Sequence, residues 1–579
     1  MRLIEALETL RRPVDKTALR RRILLALGFT PLHLQTLLNA HLRVGAPAVD
    51  AVLENGLYGD LAGTLERADL QSIDAVVAVI EWSDLDSRLG LRVLGGWRPE
   101  QLGEIIDSAE AVLERVIRAL TRAAEAVQVV VVLPTLPLPP LFTTEGNQVG
   151  AMESRLLRVI AAAGEVLARS ANLKLLNPSA LAAVSSPATR YDLKSDLLSG
   201  FPYTNGHADV LAMLLAELVR NRPQAKGLIT DLDDTLWAGI AGDDGVEALS
   251  WNLDEHTQIH AIYQNLLASL AAAGVLLGVA TKNDPSTVEQ AFKRKDLLLP
   301  YSAVYPVEAH WSPKSQSIAR ILKVWNISAD AVVFVDDNPI EIAEVQQAFP
   351  HMDCLLFPKN DYAEAWSFFQ SLRNAFGKRT VTSEDALRSE SIRTAQAWNA
   401  VESDNASPSD AFLAAAEAHI VFDCACASGD VRSFELINKT NQFNLNGKRL
   451  TDAEWHRLLV DPSVFLLTAT YKDKFGPLGK IAVLLGRKHA GDIELSSWVM
   501  SCRAFSRRIE HQCLKFLFDH FDAKRIVFDY EATARNAPLT ECLAGFLGAA
   551  PSHGVSLTRE EFFARLPSLY HRTEVSTHV

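Results

Sequence analysis

Short apolar runs alternate with amphipathic stretches over the first 220 residues of the chain. The β-branched run Val129–Leu133 predicts a buried strand, and the helical spacing of apolar positions in Leu102–Val127 predicts a helix before it. The same pattern predicts strands at Ile23–Leu27, Ala75–Ile80 and Leu173–Leu176 and helices at Leu32–Leu42, Met152–Ser170 and His207–Val219. Strands that alternate with helices are typical of a doubly wound parallel sheet, so we expect one α/β domain over residues 1–222.

The alternation continues through residues 223–378, where polar side chains follow the predicted strands. Four segments carry them: Asp231-Leu232-Asp233-Asp234-Thr235 after the apolar residues Leu228 and Ile229, Thr281-Lys282-Asn283 after Val275–Ala280, Lys314 at the start of a helix that includes Gln316–Trp325, and Asp336-Asp337 after Ala331–Val335. Because the carboxyl ends of parallel strands meet at one edge of a sheet, we expect these four segments to lie together.

The first segment places three carboxylates at the end of one buried strand. Like charges in a poorly solvated site resist ionising together, and a divalent cation removes that cost. Carboxylate oxygens are ligands that Mg²⁺ prefers. We therefore predict a Mg²⁺-dependent site for a phosphate or acyl phosphate, with a carboxylate as the nucleophile. The alternative is an acidic turn, because aspartates are common after strands.

Thr281 and Lys314 each allow two interpretations. The hydroxyl of Thr281 and the backbone amides after it can hold a phosphoryl oxygen, or Thr281 can cap the next helix. A lysine at the start of a helix gains nothing from the helix dipole, which favours anions there. Lys314 therefore indicates either an anionic ligand or a contact with the aspartates.

Residues 379–579 have a mixed pattern and form the third predicted domain. Helices are predicted at Ser383–Ala400, Ser409–Ala418, Val431–Lys439 and Ile509–His520, strands at His419–Cys426, Val464–Tyr471, Lys480–Arg487, Ile493–Met500 and Arg525–Asp529, and a polar linker at Glu402–Ser409. The connection between the second and third of these strands is of hairpin type, so we expect antiparallel pairing.

Composition narrows the class of protein. A chain of 579 residues is too long for one core, and 48% hydrophobic with 22% charged residues is typical of a globular protein. The net charge of −13 argues against a nucleic-acid binder. The six cysteines, at 354, 424, 426, 502, 513 and 542, include no C-x-x-C pair, and no apolar run predicts a signal peptide or a membrane span. We expect a cytoplasmic protein without nucleic-acid or membrane partners.

The four polar segments together resemble the motifs of the haloacid dehalogenase (HAD) superfamily. The resemblance implies that Asp231 is the nucleophile and that Asp233 is the general acid/base. Substrate phosphate would be held by Thr281, Lys282, Asn283 and Lys314, and Mg²⁺ by Asp231, the main-chain carbonyl of Asp233, Asp337 and, as a second candidate, Asp336. No insert of cap size separates Thr235 from Thr281. The expected fold is therefore a HAD-like Rossmannoid core without a large cap.

A finer resemblance, to the FkbH-like subfamily, rests on the stretches DLDDTLWAGIAGDDG, TKND, HWSPKS and FVDDNPIE. Members load a glyceryl unit from the acyl phosphate 1,3-bisphosphoglycerate onto an acyl carrier protein in polyketide pathways. The resemblance implies Mg²⁺ as cofactor and, as partners, a phosphopantetheinylated carrier protein and a phosphorylated three-carbon metabolite. Two other functions stay open: a plain Mg²⁺-dependent phosphatase of a small metabolite with structural flanking domains, and a non-enzymatic docking scaffold.

Residues 1–222 resemble the SGNH-hydrolase-like domain that precedes the HAD domain in long FkbH-like proteins. The serine that this family often carries after the first strand is missing from Gly28-Phe29-Thr30, and no aspartate lies three residues before His207. A Ser-His-Asp hydrolase needs its nucleophile, so a docking or scaffold role is expected instead. The candidate polar groups at the strand ends are Thr30, Glu81, Asp84 and His207.

The C-terminal region resembles the GNAT acyltransferase fold. We predict that Cys502 carries an acyl thioester, because neighbouring arginines favour its thiolate; a buried structural cysteine is the alternative. The stretch from Arg503 to Arg508 lacks the glycines with which GNAT domains cradle a pyrophosphate, so its arginines are expected to grip a phosphate, such as that of phosphopantetheine, by their side chains. Candidate carrier- or acyl-binding residues are Asn441, Arg503, Arg507, Arg508 and Asn536.

Overall fold

The computed structural model describes residues 1–14, 18–47, 49–93, 99–139, 144–170, 172–220, 224–378, 410–424, 431–474, 476–489, 491–501, 504–505, 507–533, 536–549, 551 and 554–576. They form two compact units, one of Met1–Arg222 with Leu450–Arg457 and one of Pro223–Arg449 with Leu458–Val579. The predicted helix Ser383–Ala400 and linker Glu402–Ser409 lie outside the described residues. The predicted domain boundaries at 222/223 and 378/379 stay predictions.

The first unit is built on a five-stranded parallel sheet in the order β2-β1-β3-β4-β5. Its strands are β1 (Leu19–Leu27), β2 (Val49–Asn55), β3 (Ala75–Val79), β4 (Gln128–Val132) and β5 (Leu173–Leu175), and its helices are α1 (Leu3–Arg11), α2 (Leu32–Gly45), α3 (Leu61–Arg67), α4 (Trp82–Leu85), α5 (Leu102–Ala124), α6 (Ala151–Ala168), α7 (Pro178–Val184), α8 (Leu193–Ser199) and α9 (Asn205–Arg220). Apolar side chains cover both faces of this sheet, which confirms the predicted doubly wound architecture. The half-buried edge strand β2 is one that the apolar pattern does not predict.

A second parallel sheet, in the order β10-β9-β6-β7-β8, occupies residues 224–378. Its strands are β6 (Gly227–Thr230), β7 (Leu276–Thr281), β8 (Val304–Ala309), β9 (Val332–Asp336) and β10 (Asp353–Leu356), and its helices are α10 (Ala241–Asp244), α11 (Gln258–Ala272), α12 (Pro285–Ala291), α13 (Lys314–Trp325), α14 (Pro339–Ala348) and α15 (Tyr362–Phe376). The central strand β6 pairs with β7 on one side and β9 on the other, so three carboxyl ends lie next to one another.

Two glycines of this sheet make room for the ring of Trp325. A Cβ atom on Gly227 would lie 2.6 Å from that ring, and one on Gly278 would lie 2.9 Å from it. Trp325 is fully buried, and its indole N–H donates to the carbonyl of Tyr305 at 2.8 Å. The contact fastens the last turn of α13 to the sheet, and Lys314 begins the same helix at its other end.

The described part of the C-terminal region forms a seven-stranded mixed sheet in the order β16-β15-β14-β13-β12-β11-β17. Its strands are β11 (His419–Asp423), β12 (Val464–Asp473), β13 (Gly476–His489), β14 (Asp492–Met500), β15 (Arg525–Phe528), β16 (Ser556–Thr558) and β17 (Arg572–Val575), and the helices from residue 410 onward are α16 (Asp410–Ala415), α17 (Val431–Lys439), α18 (Asp452–Val460), α19 (Ile509–His520), α20 (Ala537–Leu547) and α21 (Arg559–Arg565). Strands β11 to β14 are antiparallel, as expected, whereas β14 and β15 run parallel. No described helix is long and apolar enough to cross a membrane.

Candidate active site

The carboxyl ends of β6 and β9 bring Asp231 and Asp336 together with Lys314. The Nζ atom of Lys314 lies 2.7 Å from Oδ2 of Asp231 and 2.5 Å from Oδ2 of Asp336. All three residues are buried, Asp336 completely. The pairing of β6 with β9 explains the contact, because Thr230 lies opposite Val335 and the two aspartates follow them. Three of the predicted motif segments therefore meet at one point.

The electrostatics of this cluster follow from its burial. Burial raises the pKa of Asp231, and burial together with the charge of Asp231 raises the pKa of Asp336 to about 7. Burial also opposes the charge on Lys314, but the two carboxylates outweigh it and raise the pKa of this lysine. Lys314 therefore stays charged, and its single ammonium lies between the two carboxyl groups.

The donor set fits a divalent cation. One oxygen from each of Asp231, Asp336 and Asp337 lies within 4.8 Å of the other two. Oδ1 of Asp231 is buried and has no hydrogen-bond partner, which is costly for a carboxylate oxygen unless a cation binds there. Hard carboxylate oxygens in this arrangement suit Mg²⁺.

Two residues contact Asp337, one from a predicted motif segment and one from outside the motifs. The hydroxyl of Thr235 lies 3.3 Å from Oδ1 of Asp337, and Nζ of Lys359 lies 2.7 Å from Oδ2. Lys359 also pairs with Asp234 at 2.7 Å. Burial works against charge on both partners, but this pairing raises the pKa of Lys359 and lowers that of Asp234. Lys359 follows β10 outside any motif, so no local pattern could have identified it.

The carboxylate of Asp233 accepts hydrogen bonds from three donors. Its Oδ1 accepts from the indole N–H of Trp237 at 2.9 Å and from the backbone N–H of Ala241 at 3.1 Å, and its Oδ2 accepts from the amide of Asn283 at 2.8 Å. Burial raises the pKa of Asp233. Asn283, predicted to bind phosphate, thus directs its amide at Asp233, and Trp237 is a contact that the motif does not reveal.

Thr281 and Lys282 differ in exposure. Thr281 is buried at the end of β7, and its carbonyl accepts from the backbone of His310. It does not cap a helix, since α12 begins at Pro285 with Asp284 before it. Lys282 is 38% exposed and pairs with Glu341 at 2.6 Å. Of these two, Thr281 is the one buried beside the carboxyl end of the central strand.

The first unit contains a buried polar network at the carboxyl ends of β3 and β4. The carboxylate of Glu81 accepts from the hydroxyls of Thr135 at 2.5 Å and Tyr203 at 2.7 Å. The Thr135 hydroxyl also lies 3.1 Å from Nε2 of His207, whose Nδ1 lies 2.9 Å from the hydroxyl of Ser185. Burial raises the pKa of Glu81 and lowers the pKa of His207 to about 3.

Only two of the four candidate polar residues of the first unit are joined through this network. Glu81 and His207 are joined through Thr135, whereas Thr30 donates to the carbonyl of Ser199 and Asp84 accepts from the backbone of Glu81. Burial, with a smaller contribution from Glu81, raises the pKa of Asp84 to about 7. A neutral, fully hydrogen-bonded histidine is typical of a structural core rather than a catalyst.

The C-terminal candidates do not form one described cluster. Cys502 and Arg503 lie outside the described residues. Arg507 is buried with Nε 3.5 Å from Asp473, and Arg508 pairs with Asp410 at 2.7 Å. Asn441 accepts through its side chain from Arg449. Both described arginines thus have carboxylate partners within the protein.

Asn536 belongs to a set of buried asparagines that fastens residues 443–446 beside β14. Pairing of β14 with β15 ends at Leu495, and beyond it Leu445 donates to Trp498 while Met500 donates to Phe443. The amide of Asn536 donates to the carbonyl of Asn444 at 3.1 Å, and that of Asn446 donates to the carbonyls of Ser496 and Asp529 at 3.0 Å. The opening between β14 and β15 is filled by the chain itself.

Comparison with known proteins identifies one part of the chain by sequence. Residues 247–349 match the family model described as haloacid dehalogenase-like hydrolase, a range that includes Thr281, Lys314 and Asp336 and begins after Asp231. None of the curated proteins matches the chain.

Two solved structures give a measure of structural likeness. The N-terminal part of the protein BF1531 from Bacteroides fragilis, containing a phosphatase domain and complexed with Mg, aligns with 66% of this chain and 100% of its own at 16% identity and a TM-score of 0.54. The inhibitor-bound aryl esterase of M. smegmatis aligns with 34% of this chain and 98% of its own at 18% identity. Its TM-score of 0.22 is too low to indicate a shared fold. The first likeness shows a shared mixed α/β fold. The family match assigns residues 247–349 to a HAD-like hydrolase domain.

Proposed function

We propose that residues 224–378 form a Mg²⁺-dependent phosphatase or phosphotransferase domain in which Asp231 accepts the phosphoryl group. The observation that carries the proposal is the state of Asp231: one oxygen is held by Lys314 at 2.7 Å, and the other is buried without a hydrogen bond. A carboxylate oriented in this way, beside a fixed ammonium, suits in-line attack on phosphorus. The described phosphatase domain and Mg of the structural neighbour support the same function.

The proposed reaction has two successive steps, and each residue has a defined role in them. In the first, an oxygen of Asp231 forms a bond to phosphorus while the bond to the leaving oxygen breaks, and Asp233 gives that oxygen a proton. In the second, Asp233 takes a proton from a water that attacks phosphorus, which releases phosphate and restores Asp231. Lys314 offsets the charge on the phosphoryl oxygens, and the buried hydroxyl of Thr281 can donate to one of them.

The metal belongs beside Asp231. Asp231, Asp337 and Asp336 would hold Mg²⁺, with the main-chain carbonyl of Asp233 as a further ligand. When bound, the ion supplies Lewis-acid stabilisation of the phosphoryl oxygens.

The Asp231→Asn variant tests the proposal directly. We expect it to abolish phosphate release from p-nitrophenyl phosphate in the presence of Mg²⁺, whereas Asp254→Asn, at an exposed position before α11, keeps the wild-type rate. A chelator should stop the wild-type reaction and added Mg²⁺ should restore it. Wild-type turnover in Asp231→Asn would contradict the assignment of the nucleophile.

For the whole chain we propose glyceryl or related acyl transfer from a phosphorylated three-carbon donor, such as 1,3-bisphosphoglycerate, to the thiol of an acyl carrier protein. Support comes from the FkbH-like stretches around the HAD motifs and from the C-terminal sheet, whose antiparallel strands lead into a parallel pair, β14 and β15, as expected for a GNAT-like domain. The first unit would serve as an SGNH-like docking domain, since His207 and Glu81 are engaged in its core.

The placement of the C-terminal sheet on the HAD-like domain bears on this transfer. Lys226, just before β6, donates to the carbonyl of Lys439, and Gln442 donates to Asn326 at the end of α13. Both contacts lie at the amino end of the parallel sheet, opposite Asp231. A donor bound at Asp231 would therefore lie away from the C-terminal domain. This favours a mobile carrier protein over direct transfer within the chain: the carrier thiol would attack the acyl carbon, and the bond from that carbon to the phosphate oxygen would break to release phosphate.

One incubation separates this proposal from its rivals. The protein is mixed with 1,3-bisphosphoglycerate, Mg²⁺ and candidate carrier proteins, and the mass of each carrier is read together with free phosphate. Acyl transfer raises the carrier mass as phosphate appears, a plain phosphatase releases phosphate alone, and a scaffold does neither. An acyl-enzyme mass that persists in Cys502→Ala would contradict the thioester role of Cys502.

A further inference from the structure

The carboxylate of Asp233 is held unequally at its two oxygens. Oδ1 accepts two hydrogen bonds, from the indole of Trp237 and the backbone of Ala241, and Oδ2 accepts one, from the side chain of Asn283. Trp237 and Ala241 are local to Asp233, four and eight residues along the chain, whereas Asn283 comes from the loop after β7. Oδ1 is therefore the more firmly held oxygen of the carboxylate, and Oδ2 is the more loosely held one.

The anchor on Oδ1 is rigid. Trp237 is fully buried, and its ring packs edge-on against Phe292 with centroids 5.9 Å apart. Leaving its indole N–H without a hydrogen bond in such a place would cost free energy. The backbone N–H of Ala241 begins the short helix α10 and cannot rotate away. Oδ1 is therefore fixed by groups that do not move.

We propose that Trp237 and Asn283 are the positioning residues of the acid/base step, and that Oδ2 is the oxygen of Asp233 that carries the proton. An acid must give up one of its acceptor contacts to present a proton, and the single contact from Asn283 is the one that can be exchanged for a leaving-group oxygen. The indole of Trp237 then keeps the carboxyl group aimed while Oδ2 exchanges partners. This inference rests on the proposed function.

The proton balance of the step is simple. The bond between phosphorus and the leaving oxygen breaks as the bond to Asp231 forms, and the proton on Oδ2 of Asp233 moves to the leaving oxygen. In the return step Oδ2 accepts a proton from the attacking water. Asn283 donates to Oδ2 whenever that oxygen is an unprotonated acceptor, so no additional reactant is needed.

The test is the dependence of rate on the leaving group, because a misplaced acid matters only when the leaving oxygen needs a proton. Trp237→Phe keeps the ring and removes the N–H. We expect kcat for glycerol 3-phosphate to fall about 10- to 100-fold, with roughly threefold or smaller loss for p-nitrophenyl phosphate. Asn283→Ala should show the same selectivity with a smaller loss. Trp325→Phe, which removes a buried, hydrogen-bonded indole elsewhere in the domain, should lose no selectivity.

A double-mutant cycle gives the decisive readout. In an Asp233→Asn background the acid is already absent, so Trp237→Phe should have no further effect on kcat. Equal losses for both substrates, or a full additional loss in Asp233→Asn, would mean that Trp237 only stabilises the fold and would overturn the proposal. Failure of the proposed function is seen separately: Asp231→Asn would then keep its turnover, and the positioning role would fall with it.

Discussion

Nζ of Lys314 lies 2.7 Å from Oδ2 of Asp231 and leaves Oδ1 of the same carboxylate buried without a hydrogen bond. Lys314 thus orients Asp231, the nucleophile of the proposed reaction, and in that proposal the same ammonium offsets the charge of the phosphoryl group. Lys314 is held there by α13, whose far end packs against the sheet through Trp325. The geometry of the site therefore depends on a packing contact one helix length away.

We expect Lys314→Met to lower kcat/KM for phosphate release by about 10²- to 10³-fold, the usual loss when one preorganised charge donor is removed. Removing the ammonium also leaves two buried carboxylates facing each other, so thermal unfolding should occur at a lower temperature. Lys323→Met, exposed in the last turn of the same helix, is the matched control and should match the wild type. Steady-state kinetics and a melting curve decide the outcome; an active Lys314→Met would exclude the lysine from the reaction.

The contact between Gly227 and Trp325 predicts a compensating pair of substitutions. Gly227→Ala should lower the free energy of unfolding by about 1–3 kcal/mol, because its Cβ would lie 2.6 Å from the indole. Trp325→Phe removes the ring atoms that clash, so the double variant should lose less than the sum of the single losses. Gly545→Ala, with open space around its Cβ, serves as control. Urea unfolding measures all four proteins, and strict additivity would contradict the proposed clash.

The pKa of His207 predicts a pH dependence of stability in the first unit. Burial lowers the pKa of His207 from 6.5 to about 3, so the unfolded chain takes up a proton below pH 6.5 that the folded chain does not. Stability from this group is complete above pH 6.5 and falls by about 1.4 kcal/mol per pH unit toward pH 3. His207→Gln should lose that slope, measured as the free energy of opening of α9 by hydrogen exchange between pH 4 and 7.

Glu81 acts in the opposite direction, because burial raises its pKa and protonation on acidification therefore favours the folded state. It is present in both the wild type and His207→Gln, so the difference between their slopes reports on His207. Identical slopes would show that His207 titrates near its ordinary pKa in the folded protein.

Two substitutions of Asn446 should lower the stability of the C-terminal sheet to different extents. Its amide donates to Ser496, to the carbonyl of Asp529 and to the carboxylate of Asp529, each at 3.0 Å. Asn446→Ala should cost about 2 kcal/mol, from buried acceptors that lose their donor. Asn446→Asp should cost more, because it places a carboxylate against three acceptors. Equal stability of the two variants in thermal unfolding would show that residues 443–446 do not depend on this donor.

Much of the fold is visible in the pattern of apolar residues. The predicted bounds of α17 and α19 agree with the structure, and the strands of both parallel sheets that carry polar residues at their ends were identifiable as short apolar runs. Strands β2, β8 and β10 are less obvious, since two of them are half-buried edge strands and β8 contains a proline. The pattern follows burial, so it is weakest where burial is partial.

The sequence by itself determined which groups would meet at the carboxyl edge of the second sheet: Asp231, Thr281, Lys314 and the Asp336-Asp337 pair. Parallel pairing brings strand ends together whatever the loops do, so order along the chain was enough. It also indicated a cation from the number of carboxylates.

Only the tertiary structure decided how these groups are used. It directs Lys314 to Asp336 and Lys359 to Asp337, although the two aspartates are adjacent in sequence. It turns Asn283 toward Asp233 and supplies the indole of Trp237 as a second donor. Side-chain direction in loops depends on contacts between residues far apart in the chain, and no local spacing encodes them.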